Sequence, residues 1–396
     1  MKKQKQSLSI LSLNILSVIF VWGCQTSKPN LIPDGETVTI QKITADGLAE
    51  VRLTNGRGMW PNLERKPAQV FKPHVKTLKM AIIGDTGCRL KEYKDQGEYQ
   101  NCHDPDLWPM AKISEVIAKD NYDFLVHVGD YYYREKCTNK LFCDKYTDTT
   151  GPTWQSWWAD FYKPATPLFK KTPILFVRGN HEDCSRGFQG WAALSFKEKE
   201  FSQGCEAYEG FQILEWDDLI FINFDNSDFE DKKALKPLQE KMWLERLTEL
   251  KEALSKRAVG KEVWFLTHKP LFAYLPPDKG DGKITPITSQ FKDLVKKSGL
   301  ESFIDVAVSG HIHSQQVTYF AEGRPQIISG NAGSKLDAME SAVKRPDFYT
   351  MTVTHKDFGY ALVERLGFKK WKWLFKNVKG ETSLTCDFAN KKFTCK

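Results

Sequence analysis

Short apolar runs that each stop at a polar cluster set the rhythm of this chain. Lys79-Met80-Ala81-Ile82-Ile83 runs into Gly84-Asp85-Thr86-Gly87, and Phe124-Leu125-Val126-His127-Val128 into Gly129-Asp130-Tyr131-Tyr132-Tyr133. Pro173 to Val177 leads to Arg178-Gly179-Asn180-His181-Glu182, Glu262 to Leu266 to Thr267-His268-Lys269-Pro270, and Phe303 to Val308 to Ser309-Gly310-His311-Ile312-His313. Runs of this length, bounded by glycine and polar residues, predict buried strands. Leu107, Met110, Ile113, Val116 and Ile117 recur at helical spacing between the first two runs. That predicts a βαβ crossover with parallel neighbours, which sets Asp85 and Asp130 side by side at one sheet edge.

The same pattern predicts a hairpin from Phe211–Leu214 and Leu219–Phe224, helices over Leu235–Lys256 and Gln290–Lys297, and late strands at Gln315–Phe320, Gln326–Ser329, Tyr349–Glu364 and Lys370–Phe375. Thr37–Ile40 and Ala49–Leu53 alternate as a small hairpin. Trp154, Trp157, Trp158, Phe161 and Tyr162 share a helical face and read as core. Lys369, Lys370, Lys372 and Lys376 interleave with Trp371, Trp373 and Leu374, which reads as a strand with one solvated face, against a membrane- or polyanion-facing edge.

Composition narrows the class. Hydrophobic residues at 41% and charged ones at 27% fit a globular fold, and 396 residues allow one large domain or two medium ones. The formal charge is +7, three of it from Lys2, Lys3 and Lys5, and no basic run is long enough to argue for nucleic acid. Those lysines, the apolar body Leu8–Trp22 and Gly23-Cys24 read as a secretory signal. The small residue before Cys24 resembles a bacterial lipoprotein cleavage site. The expected organisation is a signal peptide over 1–23, a linker and small accessory β segment over 24–77, and a catalytic domain over 78–396. Lipidation of Cys24 would anchor an exported chain to a membrane, in the periplasm or on the outer membrane.

Eight cysteines remain: Cys88, Cys102, Cys137, Cys143, Cys184, Cys205, Cys386 and Cys395. An even set in an exported chain reads as disulfides, and pairing of neighbours is the simplest scheme. Each would contribute about 2–4 kcal/mol. None shows Cys-x-x-Cys spacing, so a thiolate zinc site is not expected.

The five strand tips carry Asp85; Asp130 with Tyr133; Asn180 with His181; His268; and His311 with His313. Carboxylate, imidazole, phenol and amide oxygen suit iron, zinc and manganese. These donors are too many for one ion, and a carboxylate can bridge two. His127 lies inside a strand and reads as structural; His74 and His103 read as surface. Arg89, Arg134 and Lys335, near the block ends, read as exposed charge rather than as anion binders.

In order, the five blocks resemble the motifs of the calcineurin-like metallophosphoesterases, over about residues 78 to 366. They are most similar to the purple, tartrate-resistant acid phosphatases, because Gly87 stands where the superfamily usually has His and Tyr133 supplies a phenol three residues after Asp130. Phe265 departs from the usual Val. The resemblance implies an α/β (α+β sandwich) fold with two mixed β-sheets packed face to face and flanked by helices. It further implies Fe(III) on Asp85, Tyr133 and His313, a divalent ion (Fe, Zn or Mn) on Asn180, His268 and His311, and Asp130 bridging. His181 would stay off the metals and act on the leaving group or orient the phosphate, with Glu182 supporting the site from behind. The activity implied is hydrolysis of small phosphate monoesters. A phosphodiesterase or nucleotidase on the same core is the alternative, and a non-catalytic surface lipoprotein the remote one.

Overall fold

Neighbouring residues of the buried strands serve different cores. The computed structural model describes residues 35–54, 61–93, 96–137, 143, 149–195, 204–231, 233–275, 285–288, 290–321, 323–337, 357–390 and 392–396. The expected signal segment, Cys24 and the start of the strand expected from Tyr349 lie outside them. The chain builds β1 (Thr37–Thr44), β2 (Gly47–Thr54), β3 (Asn62–Gln69), β4 (Lys79–Ile83), β5 (Phe124–His127) and β6 (Ile174–Phe176). Then come β7 (Phe211–Trp216), β8 (Leu219–Phe224), β9 (Glu262–Leu266), β10 (Val306–Ser309), β11 (Gln315–Ala321) and β12 (Arg324–Ser329). Last are β13 (Gly359–Gly367), β14 (Lys370–Asn377), β15 (Thr382–Ala389) and β16 (Lys392–Cys395). Two short hairpins, Leu90–Tyr93 with Gln96–Tyr99 and Phe272–Leu275 with Thr285–Thr288, form separate two-stranded sheets.

Ten of these strands form one mixed sheet, ordered β16-β15-β14-β13-β4-β5-β6-β1-β2-β3, and six form another, β11-β12-β10-β9-β8-β7. Met80, Ile82, Val126 and Leu175 of the first sheet share a core with Phe221, Trp264, Leu266 and Val308 of the second, so the sheets pack face to face. Ala81, Ile83, Leu125 and Phe176 face the opposite way, onto α1 (Met110–Ile117), α2 (Trp154–Trp157), α3 (Thr166–Lys171) and α4 (Phe188–Ser195). Ile220, Ile222, Val263 and Phe265 face α5 (Pro237–Ser255) and α6 (Gln290–Lys297). This pleat alternation, with both faces covered, explains why the strands read as continuous apolar runs. Phe265 points into the helix-facing core, so its departure from Val is a packing change.

β4, β5 and β6 are parallel neighbours, as are β8, β9 and β10. The crossover through α1 is as expected. Differences lie at the edges. The amino-terminal hairpin has a third strand, β3, whose charges and Pro67 mark it as an edge strand. Phe303 falls in a short turn of helix, and the strand there starts only at Val306. β15 and β16 lie beyond the last predicted strand; Leu384, Cys386, Phe388 and Phe393 alternate there with polar residues. In β14, Trp371 and Trp373 are buried, Lys370 is exposed and Lys372 half-buried; Lys369, just before the strand, pairs with Asp305 at 2.7 Å, and the largely covered Lys376 pairs with Asp120 at 2.8 Å. The disulfides join neighbours: Cys88–Cys102, Cys137–Cys143, Cys184–Cys205 and Cys386–Cys395.

Candidate metal centre

Parallel strands end at the same edge, so the tips of β4, β5, β6, β9 and β10 deliver the five polar blocks to one place. Three of the delivered residues have left-handed backbone: Asp85 (φ 55°), Asp130 (φ 58°) and His311 (φ 72°). Such a conformation costs a non-glycine residue about 1–3 kcal/mol and persists only where neighbours enforce it. Here they do. Asp85 N–H donates to Gly129 O at 3.0 Å, and His311 N–H to Asp85 Oδ2 at 3.0 Å. The buried Glu182 carboxylate accepts from the N–H groups of Asp130 (3.0 Å), Tyr131 (2.9 Å), Tyr132 (3.2 Å) and Gly179 (3.1 Å). Glu182 thus holds two blocks together.

The donors meet in two overlapping groups. Tyr133 Oη lies 2.9 Å from Asp85 Oδ1, 2.8 Å from Asp130 Oδ2 and 2.8 Å from His313 Nε2. His268 Nε2 lies 3.1 Å from Asp130 Oδ2 and 3.0 Å from Asn180 Oδ1. Ligand atoms of Asp130, His268 and His311 fall within 4.8 Å of one another. Asp130 belongs to both groups.

The rings' outer bonds fix which nitrogens are bare. His268 Nδ1 donates to Val128 O (2.8 Å) and His313 Nδ1 to Lys335 O (2.7 Å), leaving both Nε2 atoms as lone pairs. His311 Nε2 donates to Asp231 Oδ2 at 2.9 Å, leaving Nδ1 bare, and burial brings that ring down to about 4. Carbonyl and carboxylate partners of this kind orient metal-binding imidazoles. Burial, then Asp130, pushes the Asp85 carboxyl well above its usual range. Burial also acts to raise Asp130, while His268 and His181, when their rings are protonated, outweigh it and hold Asp130 well below. Burial, then Asp130 and Asp85, pushes the Tyr133 phenol up.

The fit to metal follows from counting hydrogens. Tyr133 Oη has one to give, yet three acceptor atoms stand around it; His268 Nε2 has none, yet faces two oxygens. Lone pairs gathered about 3 Å apart would suit the shell of a cation. Cations resolve that repulsion, and the donor set suits two.

Gly87 leaves the room that Tyr133 fills. A Cβ there would sit 2.8 Å from Tyr133 Cδ2 and 2.7 Å from Asp160 Oδ2. A side chain at 87 and the phenol at 133 therefore exclude each other. Gly87→Ala is expected to destabilise the fold by about 1–3 kcal/mol through overpacking, read as a lowered denaturant midpoint. An unchanged midpoint would contradict the tight fit.

His181 stands aside from the cluster. Its Nδ1 is 2.7 Å from Glu135 Oε1, and its Nε2 is 3.8 Å from Asp130 Oδ2. Burial would raise the Glu135 carboxyl, but His181, then Arg186 and Lys91, bring it down to about 2. An open cleft of about 550 Å³ reaches His181, Tyr133, Asn180, His311 and His313, with Arg89, Lys91, Arg186 and Lys269 on its walls. Sequence reading missed Glu135, Asp231 and Asp337, whose carboxylate accepts from His313 N–H at 2.9 Å. They lie in loops that only folding brings to the donors. It also missed Asn226, which grips the backbone N–H and C=O of Lys269, beside His268. Arg134 corrects an expectation: it is buried and paired with Asp160 at 3.0 Å. Lys335 is exposed, and His127 is buried against Thr86 and Tyr131.

A model of the calcineurin-like phosphoesterase family matches residues 78–315. No curated protein matches. Among solved structures, a purple acid phosphatase from yellow lupin (Lupinus luteus) seeds is 15% identical over 85% of this chain and 58% of that chain, with a TM-score of 0.48. This chain thus spans less than two thirds of the lupin protein. PhoD is 10% identical over 88% of this chain and 76% of its own, with a TM-score of 0.48. GAP50, the anchor in the inner membrane complex of Plasmodium, is 14% identical over 80% and 90%, with a TM-score of 0.46. The matched segment runs from just before β4 to just past His313 and takes in all five blocks, and by that match this chain belongs to the calcineurin-like phosphoesterases.

Proposed function

We propose that this chain is a two-metal phosphomonoesterase of the purple acid type, acting on small phosphate monoesters outside the cytosol. The observation that carries it is the phenol of Tyr133 set among Asp85, Asp130 and His313, a donor group suited to a hard ferric ion. Asn180, His268 and His311 would hold a divalent partner, iron, zinc or manganese, and Asp130 would bridge. When bound, such a pair supplies positive charge to the phosphoryl oxygens and makes a water more acidic.

The chain's own groups do the rest. His181 and the cleft cations orient the ester. Glu135 Oε1 lies 2.7 Å from His181 Nδ1, which leaves Nε2 as the atom to face the leaving oxygen and give it a proton. Glu182 keeps the Asp130 and Asn180 loops in register. The four disulfides fit an oxidising environment. Cys24 remains the proposed point of lipid attachment.

The test is an absorption spectrum beside the metal content, for the wild type and Tyr133→Phe. The expected result is a broad visible band and two metals per chain in the wild type, and loss of the band in the variant with some activity kept. A colourless wild type holding two zinc or manganese ions would overturn the purple assignment and leave the phosphoesterase. Rates on an aryl phosphate against a bis-aryl phosphate separate monoesterase from diesterase.

A further inference from the structure

Asp160 is the one charged residue in the aromatic run Trp154–Tyr162, and it is fully buried. α2 ends there in a widened turn, Trp158–Tyr162, closed by Lys163 N–H donating to Trp158 O at 2.9 Å. Widened turns of this kind occur often at functional sites. This one keeps Trp157, Phe161 and Tyr162 in the core while Asp160 faces the loops above β4 and β5. Asp160 Oδ1 accepts from Cys88 N–H at 2.7 Å and from Arg134 Nε at 3.0 Å. Oδ2 accepts from Tyr133 N–H at 2.6 Å.

Those bonds have a common sense. Cys88 follows Asp85 by three residues and Arg134 follows Tyr133 by one. A single carboxylate therefore grips the main chain of both loops whose side chains, Asp85 and Tyr133, meet at 2.9 Å. Arg134, itself buried, offsets the charge. A buried carboxylate is a costly way to brace two loops, and an apolar residue would serve packing as well. What it adds is a fixed direction for the Tyr133 N–H, and hence for the phenol.

We infer that Asp160 is a positioning residue for the metal centre: it sets the Tyr133 phenol, through the main chain, at the distance from Asp85 and Asp130 that one ion of the pair requires. The inference rests on the two-metal reading above. It adds a residue outside the five blocks, on a helix that reads from sequence as core packing.

The experiment uses the full, disulfide-bonded chain. Wild type, Asp160→Asn and Arg134→Lys are stripped of metal and titrated with zinc by calorimetry, and the Asn variant is crystallised. Asp160→Asn is expected to take one ion with wild-type affinity and the other about 10–100-fold more weakly, the usual effect of losing an outer support. Its crystal structure should show Tyr133 Oη displaced from Asp130 and His313. Arg134→Lys keeps the charge beside Asp160 but loses the Nε bond, and an intermediate loss confined to the same ion is expected; this variant decides the matter if the Asn variant does not fold. Wild-type affinity for both ions in either variant would overturn the inference. If the wild type itself takes up fewer than two ions, the two-metal reading fails, and the position of Tyr133 Oη decides on Asp160 alone. Displacement would support its role, and an unmoved phenol would end it.

Discussion

Asp130→Ala is expected to leave a chain that keeps neither metal and turns over at least about 10³-fold more slowly. Asp130 Oδ2 stands 2.8 Å from Tyr133 Oη and 3.1 Å from His268 Nε2, so it alone joins the two donor groups. Its Oδ1 also accepts from His181 N–H at 2.9 Å, so alanine frees the loop that carries Asn180 and His181. The metal-free protein need not suffer. Asp130 is the charge that, after burial, pushes Asp85 up, and its removal relieves that conflict. The signature is therefore a wild type that melts higher when zinc is added and a variant that does not respond. Two ions per chain retained in the variant, by elemental analysis, would refute the bridging role.

His181→Ala is expected to keep both ions and lose about 10²–10⁴-fold in kcat, the range of a positioned general acid. The loss should depend on the leaving group. An aryl phosphate whose phenolate leaves unaided should be hit least, and an alkyl phosphate, whose alkoxide needs a proton, hit most. Glu135→Gln should show the same ordering in weaker form, about tenfold, since the amide still contacts Nδ1 but no longer favours the charged ring. Equal losses on both substrates would assign His181 to orienting phosphate instead.

The centre of this molecule was legible because its chemistry sits at strand ends. Asp85, Asp130, Asn180, His268 and His311 each follow an apolar run and a turn, a pattern that survives in one dimension. Parallel packing then brings them together without further information. The residues that orient those donors were not legible. Glu135 lies two positions past Tyr133 and meets His181 only once the chain is folded. Asp231 belongs to a polar stretch before α5 and meets His311 from 80 positions away in sequence. Asp160 did leave a trace, a lone carboxylate in an aromatic run, but helical spacing outweighed it and the widened turn is invisible to periodicity. At the periphery, the edge strand β3 carries Glu64, Arg65, Lys66 and Pro67 in place of an apolar run, and β16 is an edge strand of only four residues.

Every disulfide here joins a cysteine to the next one along the chain, at separations of 14, 6, 21 and 9 residues. Short rings close at low entropic cost and need no distant partner. Oxidation can thus proceed in the order of synthesis, each pair closing before the following cysteines emerge, with little occasion for scrambling. Cys88, Cys137 and Cys184 each follow a site block by a few residues, so the loops of Asp85, Tyr133 and His181 are tethered first. His311 and His313 arrive more than a hundred residues after Cys205. Three of the four staples can therefore close before the donor set is complete, and a half-made chain offers no finished shell in which to trap the wrong ion.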